Sequence, residues 1–93
     1  MVVGVCELDL LIPGSSSLKA KRFVLRSLKD RLRNKWNVAV SESAHHDLWQ
    51  RATLCVVTVS SDSAVVHSVL SKVSNFVEKN PRVELLDVSV ELR

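Results

Sequence analysis

The stretch NVAVSESAHHDLWQRATLCVVTVS, Asn37 to Ser60, decides the fold. Its first part, residues 37–44, places Val38, Val40, Glu42 and Ala44 on one parity. That period of two predicts a strand with one buried face. A polar turn, HHDLWQ, follows, and RATLCVVTVS (Arg51–Ser60) is apolar on both parities through its middle, which suits a central strand. Two strands separated only by a turn form an antiparallel pair, and what flanks the pair sets the topology.

Helical patterns flank it on both sides. Upstream, PGSSS (Pro13–Ser17) breaks an earlier alternation and offers a serine cap, Ser17 or its neighbour Ser16. Leu18, Val24, Leu25, Leu28, Leu32 and Trp36 then fall in one broad arc at 100° per residue. Lys21 lies in the same arc, at the first turn, where its stem would snorkel outward. Downstream, Ser61 or Asp62 caps a second helix whose apolar arc holds Val65, Val66, Val69, Leu70, Val73, Phe76 and Val77. Asn80-Pro81 ends it.

The outermost segments alternate again. Near the start, Cys6, Leu8, Leu10 and Ile12 oppose Val3, Val5, Glu7 and Asp9. At the far end, Leu86, Val88, Val90 and Leu92 oppose Asp87, Ser89, Glu91 and Arg93. The order is therefore β-α-β-β-α-β in one domain spanning residues 1–93. Right-handed crossovers turn that order into a ferredoxin-like α+β sandwich. Its four-stranded antiparallel sheet has spatial order 4-1-3-2, with both helices on one face.

Composition narrows the functional class. An apolar share of 46% with 25% charged residues is that of a folded globular chain. No apolar run reaches the roughly 20 residues of a membrane span, and MVVGVCELDLLI lacks the basic n-region of a signal peptide. Cys6 and Cys55 lie far apart in apolar alternation, and both read as reduced, buried thiols of a cytoplasmic protein. No CxxC, metal-ligand spacing or cofactor motif is present, so neither metal nor cofactor is expected. The loop PGSSSLK lacks the second glycine and the arginine of a small acylphosphatase. None of the four aromatics sits mid-strand, as base stacking on an RNA-recognition sheet requires. Glu7, Asp9, Asp87 and Glu91 would make the open sheet face acidic and repel a phosphate backbone there.

Charge is distributed unevenly. The net charge of +3 conceals a local +7 over residues 18–35, against −4 for the rest. With Leu18 at 0°, Lys29, Arg22, Arg33, Arg26 and Lys19 fall at about 20°, 40°, 60°, 80° and 100°. These five cations form one strip about 21 Å long. Like charges so spaced repel, and Asp30 relieves only one edge. An extended polyanion such as RNA would neutralise the strip and release counterions. The alternatives are a solvated face or an acidic protein partner.

Two smaller sites merit attention. Ser15, Ser16, Ser17 and Lys21 at the helix start could form an anion site, though an ordinary capped helix needs the same residues. In the HHDLWQ loop, His45, Asp47, Trp49 and Gln50 read either as turn architecture or as a partner contact. The architectural reading has Trp49 buried over the sheet end, with Asp47, Gln50 and His45 bonding the turn. Zinc is disfavoured because adjacent His45 and His46 would diverge and no further ligands cluster with them. A catalytic set of Asp47, His45 and a serine lacks any spacing that joins its members, so no catalytic residue is assigned.

The segments PGSSSLKAKR (Pro13–Arg22), LKDRLRNKWNV (Leu28–Val38) and HHDLWQRA (His45–Ala52) resemble the YlxP-like family of small bacterial proteins of unknown function. His45, Asp47, Leu48, Trp49 and Gln50 match that family's H-x-D-L-W-Q form. The resemblance implies a ferredoxin-like fold, a cytoplasmic address and genes that neighbour those of translation factors, and it brings no enzymatic activity. The chain is therefore expected to be a non-enzymatic RNA- or ribosome-binding factor acting through Lys19, Arg22, Arg26, Lys29 and Arg33. The alternative is a homodimeric interaction module whose basic helix meets an acidic protein. The open sheet face, with Val3, Val5 and one parity of the third strand, is the candidate dimer surface.

Overall fold

A computed structural model describes residues 1–93. The elements run β1 (Val2–Leu11), α1 (Leu18–Lys35), β2 (Ala39–Ala44), β3 (Arg51–Ser60), α2 (Ser63–Glu78) and β4 (Glu84–Leu92). The sheet order is β2-β3-β1-β4 with every pair antiparallel, the expected arrangement counted from the other edge.

Local signals explain the boundaries. The Ser17 side chain accepts from the Ala20 amide at 3.0 Å and starts α1, while Asp62 accepts from Ala64 at 2.9 Å and starts α2. Strand β2 begins two residues later than its alternation implies, at Ala39. Both helices cover one face of the sheet. Helix α2 packs on β1, β3 and β4, and α1 lies toward β2. Between the layers sits one core that includes Cys6, Leu8, Leu10, Leu25, Leu32, Leu54, Val56, Leu70 and Val77. At the far end of the helices Trp36 meets Phe76 edge-on, with ring centroids 5.7 Å apart. The Lys35 ammonium stands 5.0 Å from the Phe76 centroid.

Four expectations need correction. The β1–β4 register shifts between Asp9 and Leu10, so Leu85 lies opposite Leu10 while Leu86 is exposed. An inserted residue breaks a period of two, and alternation alone cannot place it. Val65, in the first turn of α2, lies outside the packed stripe and is exposed. Cys55 is only half-buried, because it points to the open face rather than into the core with Cys6. Trp49 is 54% exposed rather than buried, since it stands on the β2–β3 loop beyond the helices.

Candidate nucleic-acid interface and the interlocked loops

Helix α1 divides its circumference between the two roles its sequence suggested. Lys21, Leu25, Leu28 and Leu32 face inward and are buried. On the adjoining arc Lys19, Arg22, Arg26 and Arg33 are exposed and Lys29 is half-buried. Arg22, Arg26, Lys29 and Arg33 line one groove beside β2, with Asp30 and Glu42 on its walls. Only Arg33 of the strip has an acidic neighbour, Asp30 at 3.5 Å on the exposed surface. The other four cations make no ion pair within the molecule. Glu42 does not neutralise them, because its carboxylate is engaged by Lys21 at 2.8 Å.

Phe23 adds a feature that the sequence reading passed over. Its ring is 69% exposed and borders a surface hollow shared with Lys19, Arg22 and Arg26. On the helical wheel it falls at about 140°, beyond the cations and opposite the core. An aromatic on the polar arc of a helix was the available signal. Base stacking on a sheet of this topology uses aromatics on strands, and Phe23 stands on a helix.

The Lys21 side chain overturns the anion site at the helix start. Its ammonium does not snorkel to solvent; the residue is 1% exposed and its Nζ donates to the carbonyls of His45 at 2.6 Å and Leu48 at 2.8 Å. With Glu42 as its ion-pair partner at 2.8 Å, the ammonium is engaged inside the molecule. The Ser17 hydroxyl serves as the helix cap, and buried Ser15 donates to the Ser17 carbonyl at 3.1 Å. Ser16 alone remains exposed, so the group does not converge on a ligand.

Those bonds also explain the H-x-D-L-W-Q loop. His45 takes a left-handed backbone, φ 64°, and its carbonyl accepts from the Leu48 amide at 3.1 Å as well as from Lys21. Gln50 donates its side-chain amide to the Ser15 carbonyl at 3.2 Å and the Pro13 carbonyl at 3.4 Å, and its own carbonyl accepts from Ile12 at 2.8 Å. Residues 13–21 and 45–50 therefore interlock, which gives the two motif segments a shared architectural task. Gln50 fixes the loop through the neighbouring segment, and the His45 carbonyl does so both within the turn and through Lys21 of α1. Asp47 makes no side-chain hydrogen bond, and His46 reaches the Glu42 carbonyl at 3.1 Å. The loop leaves Leu48 and Trp49 outside, at the same end of the molecule as the first turn of α1.

No group of three or more His, Cys, Asp or Glu side chains is placed to hold a metal ion. No helix is long and apolar enough to cross a membrane. The Cys6 thiol is pushed up to about 11, first by burial and then by the neighbouring Cys55 and Glu7. On the open face, Arg51 holds Asp9 bidentately at 2.9 and 3.0 Å.

Comparison with known proteins agrees with the fold and leaves the chemistry to the site. A family model described as "Protein of unknown function (DUF503)" matches residues 3–90. The chain is 35% identical over 83 residues to "Uncharacterized protein YlxP" of Bacillus subtilis (strain 168), covering 89% of this chain and 90% of that one. Among solved structures, a de novo designed protein with ferredoxin fold, determined by solution NMR, aligns with a TM-score of 0.55 at 9% identity. That alignment covers 100% of this chain and 86% of the designed one.

Proposed function

The chain belongs to the family described as protein of unknown function, DUF503, and from that premise we propose that it is a non-enzymatic RNA-binding factor acting on ribosomal RNA. The observation that carries the reading is the groove of Arg22, Arg26, Lys29 and Arg33 adjoining an exposed Phe23. Cations follow a phosphate backbone, and an aromatic ring beside them offers a base a surface on which to stack. The sheet, whose open face carries Glu7, Asp9, Asp87 and Glu91, takes no part. Ribosomal RNA is preferred among polyanions because the family resemblance implies a link with translation.

Binding of a labelled ribosomal RNA fragment, measured by anisotropy from 50 to 200 mM salt, tests this reading. The triple variant R22Q/R26Q/K29Q should bind at least tenfold more weakly. Its slope of log affinity against log salt should flatten by about 2–3, as expected when three phosphate contacts are lost. F23A should weaken binding to single-stranded segments by about tenfold while leaving the slope intact. An unchanged slope in the triple variant would overturn the proposal. So would a protein partner that the strip retains after nuclease treatment while RNA affinity stays the same, which would favour the acidic-partner reading.

A further inference from the structure

The two edges of the sheet differ in kind. Strand β2 is short, carries Glu42 and shifts register between Glu42 and Ala44, and such features discourage pairing. Strand β4 keeps a regular register over residues 87–93, and its charged residues there, Asp87, Glu91 and Arg93, all lie on the open face. Val3 and Arg93 exchange both main-chain hydrogen bonds, at 2.9 and 2.8 Å. The antiparallel ladder alternates from there, so Glu91, Ser89 and Asp87 turn their amides and carbonyls toward β1. Leu92, Val90 and Val88 turn theirs outward, to an edge where no strand sits. The same three residues lie opposite Gly4, Cys6 and Leu8, hence on the helix side of the sheet. Val88 is nevertheless 37% and Val90 47% exposed, so the helix layer leaves both partly uncovered. An unpaired ladder and an uncovered apolar row thus coincide on one strand.

Charge adds a third observation. Asp87 stands directly opposite Asp9 in the ladder, an unfavourable juxtaposition. Arg51 neutralises Asp9, whereas Asp87 has no cationic partner within the molecule.

We propose that β4 pairs antiparallel with β4 of a second copy about a two-fold axis at Val90, joining the two sheets into one of eight strands. A two-fold axis normal to the sheet requires some residue to face its own copy; an axis at Glu91 would set its carboxylate against itself, which leaves three central registers. With Val88 on the axis, pairing runs into the irregularity at Leu86. With Ser89 on the axis, Asp87 faces Glu91 of the other copy, and like charges meet. With Val90 on the axis, Asp87 faces Arg93 of the other copy, twice by symmetry, and Val88 faces Leu92. This last register keeps the outward amides and carbonyls in phase, covers the apolar row and brings Asp87 against Arg93, whose guanidinium holds Glu91 of its own chain at 3.1 and 3.3 Å on the exposed surface and is then shared between the two carboxylates.

Sedimentation equilibrium across a concentration series tests the pairing, with circular dichroism confirming that each variant folds. The wild type should be a reversible dimer. V90K should weaken association at least tenfold, as should D87R and R93D separately, and the exchanged pair D87R/R93D should return to within about threefold of wild type. V57D, on the open face, should leave association unchanged. A monomeric wild type, a dimer indifferent to V90K, a dimer lost only in V57D, or an exchange that fails to restore association would each overturn the proposal.

Discussion

Lys21 takes a charge to a place where charges are costly and answers it with two carbonyls and one carboxylate. Removing an ammonium there leaves Glu42 and two carbonyls facing an apolar gap. K21M should therefore cost about 3–5 kcal/mol, read as a lowered midpoint in urea unfolding. K21M/E42L should recover much of that loss, because replacing both partners leaves no charge behind. A cost below about 1 kcal/mol for K21M would show that water reaches the pair. The sequence held both halves of this contact. A lysine lay in the apolar arc of α1, and a glutamate lay on the core parity of β2. Opposite charges at inward positions of adjacent elements mark a buried pair, but side-chain reach decides whether they meet or diverge to solvent. Cys6 makes a second residue-scale prediction. An unfolded thiol ionises near 9 and the folded one near 11. The unfolded state therefore binds fewer protons as pH rises through that window, and stability falls there. Thermal unfolding should show a loss on the order of 2 kcal/mol between pH 9 and 11 that is absent in C6A.

At the level of elements, β1 is the central strand on which β3 and β4 are both registered. Gly4 lets α2 come close to it, since a Cβ at that position would meet Val66 and Leu70 side chains. G4A should destabilise by about 1–3 kcal/mol through overpacking, measured by chemical denaturation. A stabilised G4A would mean that α2 moves away freely. Periodicity revealed all six elements, because caps and alternation are local properties of Ser17, Asp62 and the valine-rich strands. The shift at Leu85–Leu86 was not legible: both leucines are apolar, and only pairing with Leu10 distinguishes them. Trp49 shows the same limit from the other direction. Its apolar body suggested burial, but a loop beyond the helices offers no layer to cover it.

The whole molecule is organised across the width of its sheet. The basic groove borders β2 at one side, and the free edge of β4 forms the other. This separation makes the two proposals independent in experiment: V90K leaves the cations in place, and R22Q/R26Q/K29Q leaves β4 untouched. Much of the groove was legible in advance because helical spacing fixes which cations align, whatever the helix packs against. Phe23 is less legible, because a lone aromatic on the polar arc of a helix shows its use only once the hollow beside it is seen. The edge of β4 lay further out of reach. Its character depends on hydrogen-bond phase, strand order and how far α2 extends, and none of these is written in a single segment.

With two tryptophans and no tyrosine, the chain carries its own pair of optical reporters. Trp36 lies half-buried against Phe76, so its emission follows the integrity of the helix layer. Trp49 stands in solvent on the loop that Lys21 fastens, so aqueous quenchers reach it first. Their difference in quenching separates loosening of the loop from loss of the fold, in a single cuvette and without a label.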